Sequence, residues 1–77
     1  MSTEFKDYKV NDTWGIRCIT YSDYFGNKSY EVQQVMINVF WFDIVKTSGI
    51  LYDKDSANSY FKNLIKEIRG YSNPLIS

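Results

Sequence analysis

The stretch ANSYFKNLIKEI, residues 57–68, decides the fold of this 77-residue chain. Its apolar residues recur at spacings of three and four, which is the period of one face of an α-helix. Asp53 or Asp55 can cap the start of this helix, and Gly70 is a residue type that commonly ends one. The pattern predicts a helix over about residues 54–69, with Phe61, Leu64 and Ile65 in the core.

Upstream of this helix the apolar period changes to two, which is typical of β-strands. Residues 14–24 and 29–45 are rich in β-branched and aromatic side chains, and residues 25–28 between them are turn-forming. The second segment is longer than the usual strand of about 5–6 residues. It is therefore either one bulged strand or two strands with a break near Asn38. Residues 5–10 are a further candidate strand.

The order of these elements predicts an α+β fold, in which a three- or four-stranded antiparallel β-sheet meander carries one C-terminal α-helix on one face. We expect a single small domain over residues 1–77, with an ordered core of about residues 5–71 and loose termini. One helix covers only one face of such a sheet. The other face is open, unless Trp14 and an N-terminal strand fold across it or a partner covers it.

The residue types argue against catalysis. The chain has no histidine, which is the usual general acid–base group and the commonest metal ligand. Cys18 is the single cysteine, and we expect it to be a small buried apolar residue in a reducing compartment. Nothing in the spacing of Asp23, Glu31 and Asp43 requires these carboxylates to converge. We therefore predict no enzyme activity, no metal and no cofactor.

Aromatic residues make up 18% of the chain, more than a small core needs, so we expect some of them to bind a partner. Alternation over residues 40–45 predicts that Phe40, Phe42 and Ile44 face the helix and that Trp41 lies on the open face. Tyr and Trp are favoured anchors of protein interfaces. The predicted partner-binding residues are Trp41, Tyr21, Tyr24, Tyr30 and Asp43.

A secondary basic strip is predicted on the polar side of the helix, where Lys62, Lys66 and Arg69 are spaced by four and three residues. The strip can contact phosphate or an acidic partner, and a solvated helix face explains it equally well. The chain has nine basic and nine acidic residues, so its net charge is zero. Zero charge argues against nucleic acid as the partner. The longest apolar run has four residues, which argues against a membrane.

The sequence therefore favours a non-enzymatic, cytoplasmic protein-binding domain. Its plentiful Ile, Lys, Asn, Tyr and Ser are typical of AT-rich coding sequence, which short phage genes often have. The most concrete prediction is a phage or mobile-element accessory protein that docks on a host protein and inhibits it, for example a defence or nucleic-acid-processing protein. The alternatives are an assembly subunit that forms a homodimer through its sheet, and a single-stranded nucleic-acid binder that stacks bases on sheet aromatics.

Overall fold

A computed structural model describes residues 2–72 of the chain, with side chains described for residues 2–69. Four β-strands precede one α-helix: β1 (Ser2–Lys9), β2 (Trp14–Ser22), β3 (Lys28–Ile37), β4 (Phe42–Thr47) and α1 (Lys54–Ser72). Neighbouring strands pair antiparallel in the order β1-β2-β3-β4, and α1 packs on one side of the sheet. The predicted α+β class is confirmed, with four strands.

Helix α1 begins where the sequence predicts and ends later. The Asp53 carboxylate accepts hydrogen bonds from the Asp55 backbone N–H at 3.4 Å and from the Ser56 hydroxyl at 3.2 Å, so Asp53 is the cap. Gly70 does not end the helix, which continues to Ser72, because a glycine costs only about 1 kcal/mol inside a helix. Over the described residues, no helix has the length and apolar content that a membrane span requires.

The core lies between α1 and the middle of the sheet. Its buried members come from β2, β3 and α1: Ile16, Val32, Ala57, Leu64 and Ile68. Half-buried residues pack around them: Val10, Trp14, Cys18, Tyr30, Leu51, Tyr60, Phe61 and Ile65. The prediction that Leu64 is buried is therefore confirmed, whereas Phe61 and Ile65 lie at the margin of the core.

Trp14 belongs to the helix side of the sheet. It packs against the core, and β1 lies beside β2 as an additional strand of the sheet. The alternative in which Trp14 and the N-terminal strand fold across the second face is therefore wrong. Helix α1 packs on β2 and β3, and no element of the described chain covers the opposite side. We call that side the open face.

The long apolar segment 29–45 forms two strands. Strand β3 ends at Ile37 and β4 starts at Phe42, and the Asn38 N–H donates to the Trp41 carbonyl oxygen at 2.9 Å across the turn. Asn38 marks the break, but not by adopting left-handed backbone, since no described non-glycine residue has a positive φ. A register shift in the β3–β4 pairing shows that a bulge is present as well.

The β4 side chains lie on the opposite sides of the sheet from those predicted. The register pairs Phe42 with Ile37 and Ile44 with Val35, which places Phe42 and Ile44 on the open face. The prediction that they face the helix is wrong: residues 42–44 alternate as expected, but the pairing register with β3, and not the apolar content of each set, decides which set faces the helix.

Candidate functional site

Long side chains partly cover the open face. Cross-strand pairs on this face include Phe5 with Ile19 and Asp7 with Arg17. Ile19 and Val35 are each only 5% exposed although no helix covers them. Neighbouring side chains must therefore shield them, and the open face is a structured layer of side chains.

Arg17 is held between two aromatic rings on this face. Its Cζ atom lies 5.6 Å from the ring centroid of Phe5 and 5.4 Å from that of Phe42, which are cation–π distances. Nε donates to Oδ1 of Asp7 at 2.8 Å and Nη2 donates to Oδ2 at 3.3 Å, and this contact raises the pKa of Arg17. The arrangement links β1, β2 and β4 and fixes the guanidinium plane. We call Phe5, Arg17 and Phe42 the arginine stack.

A cavity of about 280 Å³ adjoins Phe42 on the open face. Gly15 contributes to its floor, where a Cβ atom would lie 2.9 Å from the Tyr8 carbonyl oxygen. Its lining also includes three apolar and two charged residues: Val35, Ile37, Phe42, Asp7 and Lys9. This cavity, which we call the Gly15 dimple, therefore depends on the absence of a side chain at position 15.

Residues 39–45 expose a run of apolar side chains next to the dimple. Apart from Asp43, every residue in this run is a large apolar residue that is 47–88% exposed. The rings of Phe40 and Trp41 stack with centroids 6.4 Å apart. The Asp43 carboxylate accepts hydrogen bonds from Trp41 Nε1 at 3.1 Å and from Asn38 Nδ2 at 2.5 Å, which orients the indole. Contiguous exposed apolar surface of this kind marks interaction sites.

A hydrogen-bonded cluster centred on Glu31 occupies another part of the open face. Its carboxylate accepts bonds from the hydroxyl of Thr47 at 2.7 Å, the amide of Gln33 at 3.1 Å and the hydroxyl of Tyr21 at 2.9 Å. These bonds, led by that of Thr47, lower the pKa of Glu31, and the bond to Glu31 raises the pKa of Tyr21. The Tyr21 hydroxyl is therefore engaged within the sheet.

The predicted partner-binding residues fall into separate places. Trp41 and Asp43 lie together at the β3–β4 turn. Tyr21 lies on the open face but far from Phe42. Tyr21 pairs with Ser29 and Phe42 pairs with Ile37, and these two partners are eight residues, or about 26 Å, apart along β3. Tyr24 is 84% exposed in the turn between β2 and β3, and Tyr30 packs against the core on the helix side. The five residues therefore do not form one surface.

The predicted basic strip lies on α1, away from the open face. Lys62, Lys66 and Arg69 are exposed, and none of them forms a salt bridge within the described part of the chain. The ion pair that involves α1 joins Glu67 to Lys46 of β4 at 3.3 Å.

The other chemical candidates do not converge on a reactive centre. Cys18 is half-buried, and burial raises the pKa of its thiol, which lowers its reactivity. Asp23 lies in the β2–β3 turn, where it accepts backbone hydrogen bonds from Phe25 and Asn27, far along the sheet from Asp43. Within residues 2–72 no group of His, Cys, Asp and Glu side chains is placed to hold a metal ion.

Sequence reasoning missed the residues that define this surface most clearly, namely Phe5, Gly15 and Arg17. Gly15 and Arg17 are two residues apart in β2, so the sequence could have placed them on one face of the sheet, but their neighbours on β1 and β4 depend on the pairing register. No family model matches the chain, and neither the curated proteins nor the solved structures provide a match.

Proposed function

We propose that this protein acts by binding another protein through one end of its open face and the adjoining β3–β4 turn. The contact surface comprises the Gly15 dimple, the arginine stack and the exposed rings of Phe40 and Trp41. The observation that carries this proposal is the contiguous exposure of residues 39–45 beside a preformed cavity. We call these elements together the docking surface.

The composition of the docking surface is typical of a protein interface. Aromatic residues and arginine are enriched at such interfaces and supply most of their strong anchors. At the observed exposures, Phe40, Trp41 and Phe42 offer on the order of 400 Å² of ring surface. The dimple can receive one apolar side chain of the partner, and the partner's main chain can then lie across the arginine stack.

The side chains of the docking surface are already fixed before binding. Arg17 is constrained by two rings and by Asp7, and Trp41 is constrained by Asp43. Side chains that are already ordered lose little entropy on binding, so this order favours affinity. The Asp7 carboxylate also neutralises Arg17, which argues for a neutral protein surface as the partner and against a phosphate backbone.

The residue usage supports a more specific form of the proposal. In this form the protein is a phage or mobile-element accessory protein that works in the host cytoplasm and inhibits a host protein by occupying its surface. A non-enzymatic role agrees with the lack of histidine and with the half-buried thiol of Cys18.

The test is affinity capture from lysates of candidate hosts, followed by titration of each purified partner with variants of this chain. Trp41→Ala and Phe40→Ala remove rings from the docking surface. Tyr24→Ala and Tyr52→Ala are matched controls, because these rings are 84% and 82% exposed and lie outside it.

We expect the first pair of variants to lose the partner and the second pair to retain it. A partner that binds all four variants equally would overturn the proposed surface. Binding of a single-stranded oligonucleotide that weakens steeply between about 50 and 200 mM salt would instead identify a nucleic-acid binder.

A further inference from the structure

A cavity of about 320 Å³ lies on the helix side of the sheet, away from the docking surface. It exists because α1 lies over β2 and β3 rather than over β1. Strand β1 therefore forms one wall of the cavity, α1 forms the other, and β2 and β3 form the floor. We call this cavity the helix-side cleft, and its principal side chains are Lys6, Tyr8, Cys18, Lys54, Asn58 and Phe61.

One end of the helix-side cleft is aromatic. Among the lining residues, Tyr8 is the last on β1 and Phe61 is the last on α1. Their rings meet edge to face with centroids 4.8 Å apart, so this contact joins the two walls. The neighbouring floor is formed by Cys18, Val32 and Ala57, which are half-buried or buried. A ring of a ligand can therefore lie on this floor and contact both aromatic side chains.

The rest of the cleft has an excess of positive charge. Lys6 on the β1 wall and Lys54 on the α1 wall supply two ammonium groups, and Glu4 supplies one carboxylate. Glu31 also borders the cleft, but its carboxylate is bonded within the cluster on the open face. The charges that face the cleft therefore favour an anionic group over a cationic one.

The polar groups of the cleft are available to a ligand. Lys6 Nζ lies 5.4 Å from the ring centroid of Tyr8. Burial raises the pKa of Cys18 and the charge of Lys6 acts in the opposite direction, which agrees with an ammonium group near the floor. Within residues 2–69, neither Lys6 nor Lys54 forms an ion pair, and the Asn58 amide forms no hydrogen bond. Lys54 and Asn58 are four residues apart in α1 and so lie side by side.

We propose that the helix-side cleft binds a small aromatic carboxylate, with its ring against Tyr8 and Phe61 and its carboxylate between Lys6 and Lys54. Hydrogen bonds from ammonium groups to a carboxylate are among the stronger ones in proteins. The cavity volume is at the lower end of the range of about 300–1,000 Å³ for small-molecule sites, so the ligand is smaller than a typical drug. This inference goes beyond the proposed function, because the cleft and the docking surface use different parts of the molecule.

The experiment titrates the whole isotope-labelled chain with phenylacetate and follows its backbone amide signals by NMR. We expect saturable shifts centred on Cys18, Asn58 and Phe61, with a dissociation constant of about 1 mM, the scale for so small a ligand. Phenylacetamide keeps the ring but has no charge, and it should bind about tenfold more weakly. Acetate lacks the ring and should produce no saturable shifts.

Lysine variants test the charged groups of the cleft. The double variant Lys6→Gln with Lys54→Gln should weaken phenylacetate binding by about tenfold and leave phenylacetamide binding unchanged. Lys62→Gln is the matched control, because Lys62 is an exposed lysine of the same helix that does not line the cleft. It should bind phenylacetate as the wild type does. All three lysines are exposed, and the amide spectra verify that each variant is folded.

Absence of saturable shifts up to about 10 mM phenylacetate, tenfold above the expected constant, would overturn the site. Saturable shifts centred on Trp41 and Asp43 instead would also overturn it. Phenylacetamide or benzylamine that binds as tightly as phenylacetate would overturn the carboxylate class, as would equal losses in the double variant and in Lys62→Gln. Trp41→Ala should bind phenylacetate normally, so failure of the cleft and failure of the docking surface are distinguishable.

Discussion

Gly15 and the Tyr8 carbonyl oxygen approach so closely that a Cβ atom at position 15 would lie 2.9 Å from that oxygen. Since the oxygen belongs to the backbone of β1, it cannot move aside without disturbing the β1–β2 pairing. We expect Gly15→Ala to lower the free energy of unfolding by about 1–3 kcal/mol, as overpacking does. Denaturant unfolding measures the loss.

Gly49→Asn is the control for this substitution. Gly49 has a φ of +71° but no atom within 4 Å of a built Cβ, so only backbone strain opposes a side chain there. Asparagine tolerates this region, and we expect a smaller loss than at Gly15. If the two variants were equally stable, the close approach at Tyr8 would not constrain the fold.

Leu64 is 2% exposed at the centre of the core. Leu64→Ala should lower the free energy of unfolding by about 2–5 kcal/mol, because it removes buried methyl groups and leaves a cavity. In a chain of this size such a loss can abolish folding. Lys62→Ala, on the exposed side of the same helix, should change stability by less than about 0.5 kcal/mol. A loss of that small size for Leu64→Ala would contradict its buried position.

The Glu31 cluster makes stability depend on acid pH. Hydrogen bonds in the folded state lower the pKa of Glu31 from its ordinary value of 4.5. The unfolded chain therefore takes up a proton first as the pH falls, so this stabilisation is complete above about pH 4.5 and is lost below it. We expect Glu31→Gln to cost about 1 kcal/mol at pH 7 and to flatten the decline in stability between pH 5 and 3.

Thermal midpoints over pH 3–7 for the two proteins test this effect. Asp23 also has a lowered pKa, because the hydrogen bonds from Asn27, Phe25 and Gly26 together outweigh a desolvation effect in the opposite direction. The Glu31→Gln variant should therefore still lose some stability as the pH falls. Parallel curves of thermal midpoint against pH for wild type and variant would show that Glu31 contributes nothing to this loss.

Arg17→Lys keeps the positive charge but loses the planar group that stacks on Phe5 and Phe42. The salt bridge and the stacking are partly exposed, so we expect a loss of about 1 kcal/mol in denaturant unfolding. Lys9→Ala breaks the exposed ion pair with Asp12 and should have almost no effect. Equal effects of the two substitutions would mean that the arginine stack adds no stability.

Substitution of Trp41 distinguishes an effect on binding from an effect on folding. Its side chain is 58% exposed and belongs to a turn, so Trp41→Ala should leave the thermal midpoint nearly unchanged. Binding of a partner should weaken by about 30-fold, since an anchor residue contributes about 2 kcal/mol. A Trp41→Ala protein that fails to fold would place Trp41 in the structural core instead.

Helix α1 was predictable from the sequence, because it depends on local features. These are the apolar period around Leu64 and the capping carboxylate of Asp53. The side of the sheet on which each β4 side chain lies was not predictable, because it depends on the residue at which the β3–β4 turn ends. A shift of one residue at Trp41 moves Phe42 and Ile44 to the other side of the sheet.

The candidate site was predictable only in part. Trp41 and Asp43 are neighbours in the chain, and the sequence placed them together. The arginine stack joins Phe5, Arg17 and Phe42 from three strands, so it exists only once the register of the whole sheet is set. The Glu31 cluster joins side chains of β2, β3 and β4 in the same way, so no local sequence pattern predicts it.

Strand β1 lies at a margin of the sheet and carries four charged residues among its eight. Charged side chains at a sheet margin oppose the addition of further strands from other copies of a chain. Replacing Lys6 and Asp7 with apolar residues would therefore be expected to increase the tendency of this chain to assemble into filaments.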